Sequence, residues 1–541
     1  MRRSLLVAAL AVGLGVLLAS AAVAATVSTR ATSGGTLRLN FSASDFAYLD
    51  PALAYDGPSW QVLFATGATL VGFPNVGGQR GALVGPDAAA AMPRISSDGR
   101  TYTFTLRKGL RFSDGSAVTP AAFVRAFERA ASPAQQSPAN QYVGDIAGVD
   151  AFIAGKAQRI SGLTVRGSTL VVRLSRPRPT FLSEVALPFF QAVKPSMAID
   201  ANGINVYPSA GAYRIVSREP GVSVVLEKNR FYRGKRPARA DRIVITVNTD
   251  TAQSLLQVRA GQADYDLGGL PPTAHGDLSS DFGVRKAGKG RYFVNPTLGV
   301  TYLALNTARP FFGDVRNRKA VNWAIDRPAL LRVGGKLAGT RTDQIIPPSV
   351  PGFRQARLYA IKGANPAMAK KVAPGIGGTI RLLHTTSPTS TARAQVIQYN
   401  LKQVGIDVRL DPQPFGVAIR TAGLRGADFD MFLISWASDY PDPSVFINPL
   451  LDGRLIQESN NSNYSYWNDE VFNRRMTVAG RLAGDARFAA FGQLDVDIMR
   501  QEAPLAPILT PNVREFVSAR TSGYVFHPVY QAADLSLLSV R

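Results

Sequence analysis

Residues 98–119 read DGRTYTFTLRKGLRFSDGSAVT. Asp98-Gly99 marks a turn. Tyr102, Phe104 and Leu106 alternate with Thr103, Thr105 and Arg107, the period-two pattern of a strand buried on one face. Asp114-Gly115 marks a second turn, because glycine tolerates positive φ and aspartate bonds its own backbone. Thr119-Pro120 then predicts the N-cap and first residue of a helix over AAFVRAFERAA. All of this is strand, turn and cap chemistry, and none of it calls for a catalyst.

The same period changes recur along the chain. Ile243, Ile245 and Val247 alternate with polar residues, residues 251–260 predict a helix with Gly261 as its cap, and a strand follows from Ala263. In VRNRKAVNWAIDRP, Val315, Ala320, Val321, Ala324 and Ile325 form the core face of a helix, and Asp326-Arg327-Pro328 ends it and starts another. Alternating strands and helices over 541 residues predict an α/β protein of two or more lobes. Residues 36–41 (TLRLNF) predict the first strand, and no solenoid-length repeat is present.

Order and spacing in these blocks resemble the peptide-binding class of ABC-transporter solute-binding proteins, family 5. Residues 98–119 are similar to that family's DGxxYTFxLRxGxxFxDGxxxT. PSAGAYRIV resembles its GxGPYxV strand with Ala212 in place of proline, and LEKNRFYRG resembles LxRNPxYxG with Arg230 in place of proline. FDMFLISWASDYPDPSVF resembles its WxxDYpDP element, and Leu49-Asp50-Pro51 its LDP element.

The resemblance implies a two-lobed periplasmic-binding-protein-like fold with an extra subdomain, a central cleft and two interlobe crossings, expected near residues 297–305 and 505–511. It divides the chain into a signal segment 1–24, a first-lobe start 25–51, the extra subdomain 52–190, a continuation 191–300, a second lobe 301–508 and a first-lobe return 509–541. It also implies function: an exported substrate-binding component of an ABC importer, capturing oligopeptides or dipeptides for a membrane permease and its ATPase subunits. The family's other solutes (metal chelates, haem, oligosaccharides), a sensor-feeding receptor and, remotely, a secreted hydrolase are the alternatives. The implied state is a monomer without cofactor.

Site residues follow from the same resemblance. Asp439 matches the aspartate that meets the ligand ammonium, a charge too costly to bury unpaired. Trp436, Ala437, Ser438 and Tyr440 surround it at the carboxyl end of a buried strand expected over residues 431–436, where α/β sheets present ligands. Tyr55, Asp56 and Gly57 are expected to pair their backbone with an extended peptide across the cleft. Trp60, Tyr302 and Asn306 complete the expected pocket.

Bulk properties agree with export. Arg2 and Arg3, an apolar run over 5–18 and Ala22-Val23-Ala24 form a signal-peptide pattern. The chain has no cysteine, so neither disulfide nor lipid-linked cysteine is expected. The net charge of +23 comes from scattered Lys and Arg, which predicts a solvated basic surface and no nucleic-acid partner. His275, His384 and His527 lie far apart, so no metal site is expected, and no nucleophile elbow, HExxH or P-loop is present.

Overall fold

The computed structural model describes residues 34–42, 45–285 and 290–540. The expected signal segment and most of the tether after it lie outside these residues.

Residues 98–119 fold largely as their pattern dictates. The strand Thr101–Thr105 buries Tyr102 and Phe104, and Gly99 and Gly115 both adopt positive φ. The helix Pro120–Ala131 follows Thr119 at the N-cap position, but the Thr119 hydroxyl makes no capping bond, so proline's fixed φ starts this helix. Thr101–Thr105 belongs to a four-stranded antiparallel sheet with Arg94–Ile95, Thr169–Arg173 and Leu163–Arg166. The helix closes over the inner face through Ala122, Phe123 and Phe127, which are fully buried.

A five-stranded sheet forms the first lobe. Thr36–Phe41 lies one strand in from its edge, with the central strand Arg242–Val247 and the edge strand Tyr265–Asp266 parallel to it on either side. The predicted β-α-β unit is therefore present, with the chain's first strand inserted between its two strands. Its helix, Thr251–Ala260, is capped by Asp250 and ends at Gly261 with φ of 75°.

The second lobe is built on a seven-stranded sheet. Gly299–Leu305 lies at its middle between Leu505–Phe516 and Met431–Ala437, and Gly378–Thr385 and Ile406–Gln413 extend it in parallel. Helix Val315–Ala324 buries Ala320, Val321 and Ala324 as its pattern requires, and Val315 is only half-buried. Asp326 caps the next helix by accepting from the Ala329 amide.

The chain passes between lobes where one long strand changes partner. Leu505–Phe516 pairs with Gly299–Leu305 through its first half and with Tyr292–Pro296 through its second. The changeover falls at Thr297-Leu298 and Thr510-Pro511, joined by the Thr297 amide donating to the Pro511 carbonyl at 3.0 Å. Tyr265 then bridges to Val517, which ties the end of the long strand to the first-lobe sheet.

Candidate functional site

The strand Met431–Ala437 is buried through Ile434 and emerges at Ser435. Its first residues have partners on both sides, since Met431, Phe432 and Leu433 pair with Leu382, Leu383 and His384 as well as with Gly299–Leu305. Residues 434–437 pair only with Gly299–Leu305, so among the described residues their other edge is open. An open edge beside a cleft is a template for an added strand. Trp436 is half-buried, its indole donating to the Val445 carbonyl at 2.8 Å, and Ala437 is exposed. The Ser438 amide donates to Leu298 at 2.9 Å and its hydroxyl bonds the Tyr440 carbonyl, which turns the chain sharply.

That turn carries Asp439 against the first lobe. The Tyr55 hydroxyl donates to its Oδ2 at 2.8 Å, and the Tyr142 hydroxyl donates to the same atom. Among the described residues no Lys, Arg or His pairs with Asp439. Burial pushes its carboxyl above the usual range, with the two hydroxyl donors opposing the shift. The same burial, reinforced by the Asp439 charge, raises both tyrosines. Asp442, three residues on, is the contrast: Arg487 lies 3.1 Å from it, and it caps Ser444.

Tyr440 takes a second grip on the first lobe. It packs into the core of the extra sheet, and its hydroxyl donates to Glu184 at 3.1 Å. Glu184 is held by Arg178 and Thr180, and Arg178 also reaches Asp145 at 3.0 Å. Tyr142, Glu184 and Arg178 complete the contact surface, yet no motif marks them. They come from separate short elements that only the tertiary fold assembles.

The first-lobe residues of the expected wall lie just before helix Gly57–Thr66 and in its first turn. Tyr55 is 47% exposed and reaches Asp439 through its side chain. Asp56 is the N-cap of helix Gly57–Thr66, accepting from the Ser59 amide at 2.8 Å, so its carboxylate serves the helix. Gly57 is exposed in the first helical turn, with open space where a side chain would stand. Trp60 is buried, donates to the Ala54 carbonyl at 2.8 Å, and packs on Tyr55 and Phe189.

Tyr302 and Asn306 are the second-lobe members of the expected pocket that lie deepest. Both lie on or just after the central strand of the second sheet, which has neighbours on both edges, and both are buried in its core. Asn306 donates to the Phe429 carbonyl and accepts from the Ala308 amide, closing a turn.

The sequence profile of the bacterial extracellular solute-binding proteins, family 5, matches residues 84–457. The chain belongs to this family. It is 26% identical over 499 residues to the oligopeptide-binding protein OppA of Bacillus subtilis, covering 87% of each chain. It is 25% identical over 467 residues to heme-binding protein A of Haemophilus influenzae, covering 82% of each. The solved structure of clavulanic acid biosynthesis oligopeptide binding protein 2 superposes with a TM-score of 0.85 at 24% identity, over 94% of this chain and 96% of that one. These relatives share the two-lobed α/β architecture, and their names describe binding proteins. Among the described residues no helix is long and apolar enough to cross a membrane.

Proposed function

We propose that this family 5 protein is the extracytoplasmic substrate-binding component of an ABC importer and that it captures peptides between its lobes. The observation that carries the reading is Asp439: a largely buried carboxylate at the lobe boundary, bonded to two hydroxyls, without a cationic partner among the described residues. A ligand ammonium supplies the missing charge. Beside it, the open edge of residues 434–437 offers main-chain bonds that read an extended backbone and leave side chains loosely selected. Ligand contact with both lobes favours their closed arrangement, the form that docks on a permease.

The test is calorimetric titration of Asp439→Asn with a peptide found by native mass spectrometry of the purified protein. Truncating one member of a desolvated charge pair costs about 2–5 kcal/mol, so affinity falls about 30-fold or more. Because the free carboxyl titrates above its usual range, wild-type affinity declines on acidification as the carboxylate takes up its proton. Asp439→Asn removes that decline, and the N-acetylated peptide binds both proteins weakly. Equal affinity of both proteins for the free peptide would refute the anchor. Co-purifying porphyrin in place of peptide would move the solute assignment to haem.

A further inference from the structure

A patch of the first lobe, in elements not used by the cleft, gathers cations without matching carboxylates. The turn after strand Thr101–Thr105 brings Arg107, Lys108 and Arg111, and the loop before strand Arg242–Val247 brings Arg230, Arg233 and Lys235. The two segments touch. Arg107 Nη1 donates to the Arg233 carbonyl at 3.3 Å, and the Phe231 ring lies 3.1 Å from where a Gly115 Cβ would stand. Arg230 rests its guanidinium over Phe231 at 4.7 Å. Lys108, Arg111, Arg230, Arg233 and Lys235 are exposed. Arg111 donates to the Gly115 carbonyl at 2.7 Å and Arg233 to the Arg230 carbonyl at 2.8 Å. The two nearby carboxylates are engaged elsewhere, Asp87 with Arg236 at 3.7 Å and Asp114 with Lys194 at 2.5 Å.

Shallow depressions flank the patch. One of about 330 Å³ is lined by Arg107, Lys108 and Arg111, and one of about 270 Å³ by Asn75, Lys235 and the paired Asp87 and Arg236. A protein partner would normally find an apolar centre with charges at the rim, and here the centre is cationic. Long side chains whose heads are not fixed by carboxylates suit a partner whose charges are themselves mobile.

We infer that this face is an adsorption surface for a bilayer carrying anionic phospholipids. The chain offers no cysteine for a thioether-linked lipid, and its net charge is +23. Adsorption through one face would hold the protein at the membrane in a fixed orientation without an anchor. Arg230, the position where the sequence departs from the family's proline, is one of the exposed cations of the patch. The inference does not depend on the identity of the cleft ligand.

Sedimentation with phosphatidylglycerol-containing vesicles and with pure phosphatidylcholine vesicles tests it, using the protein as purified from an exporting host. Each basic residue near an anionic surface contributes about 1 kcal/mol, or roughly fivefold in partitioning. The variant Lys108→Ala/Arg230→Ala/Lys235→Ala is therefore expected to lose about a hundredfold in partitioning at low salt. Lys370→Ala/Lys371→Ala/Lys402→Ala removes the same charge from exposed positions on the second lobe and is the control. It should lose no more than a fewfold, and all binding should weaken at high salt as the Debye length shrinks. Equal losses in the two variants would overturn the inference, leaving adsorption by net charge alone. So would absence of a phosphatidylglycerol preference, or wild-type binding by the patch variant, which would leave an acidic protein face to account for the patch. Unchanged circular dichroism and melting of both variants show that they are folded.

Discussion

Replacing Arg129 with methionine tests the reading that Asp50, the aspartate of the LDP element, holds the extra subdomain to the first lobe. Arg129 lies on helix Pro120–Ala131 and is 1% exposed, and Asp50 is 0% exposed. The pair is bidentate, with Nη1 to Oδ1 at 2.9 Å and Nη2 to Oδ2 at 2.7 Å. Asp50 also accepts from the amides of Ala52 at 2.9 Å and Ile204 at 2.7 Å, and Arg129 Nε donates to Ala198 at 2.9 Å. Arg129→Met removes two of four donors from a carboxylate that no water reaches. Removing one partner of such a pair costs about 3–5 kcal/mol, because the other charge stays buried and uncompensated. With a urea m-value of about 3 kcal/mol/M for a lobe of this size, a loss of about 4 kcal/mol lowers the first-lobe midpoint by about 1.3 M. Circular dichroism through a urea titration measures it. Asp50→Asn alone should cost a similar amount. The double variant carries no buried charge and should cost clearly less than the sum, a coupling of about 2 kcal/mol or more. Additive single losses, or a loss below about 1 kcal/mol for Arg129→Met, would refute the argument.

Two further predictions concern stability. Asp495 is buried, accepts from the Ile345 and Ile346 amides at 3.1 Å each, and burial pushes its carboxyl up to about 7. The folded chain therefore keeps a proton that the unfolded chain, titrating near 4, gives up. The stabilisation is full below that lower value and is lost as pH rises toward 7, on the order of 4 kcal/mol by linkage. Urea midpoints of Asp495→Asn across this window should show a shallower pH slope than wild type, and an unchanged slope would count against the assignment. A Cβ added at Gly211 would stand 2.4 Å from the Thr66 carbonyl carbon and oxygen, where helix Gly57–Thr66 ends. Gly211→Ala should lower stability by about 1–3 kcal/mol, read from thermal unfolding. Gly85→Ala, with open space at its Cβ, should be near neutral, and comparable losses would show that the close approach does not set the cost.

Local order was legible in the sequence wherever one face of an element is buried. Tyr102 and Phe104, Ile243 and Ile245, and Ala320 and Val321 take the core sides that their spacing assigns, because a strand or helix with one apolar face has a single way to hide it. Glycines at 99, 115 and 261 take positive φ where turns and a cap demand it. The family was legible for the same reason, since its motifs are chiefly turn, cap and core residues in a fixed order. Of the expected site residues, Asp439 and Tyr55 stand at element ends beside recognisable motifs, and the fold brings them together across the lobes.

Tertiary structure decided the rest. Tyr302 and Asn306 read as pocket residues from the resemblance, and the fold sets them, buried, on and just after a central strand with partners on both edges. For Asp56 the resemblance implies backbone contact with ligand, and the fold adds a capping role for its carboxylate at the Ser59 amide. Tyr142 and Glu184 carry no motif, and they meet Asp439 and Tyr440 across sequence separations of 297 and 256 residues. The basic patch arises likewise, where a turn at Arg107 meets a loop at Arg233. Short-range pattern determines which face of an element is buried. Which distant side chains then share a surface depends on how the lobes and sheets dock, and that packing is encoded in no single stretch of this chain.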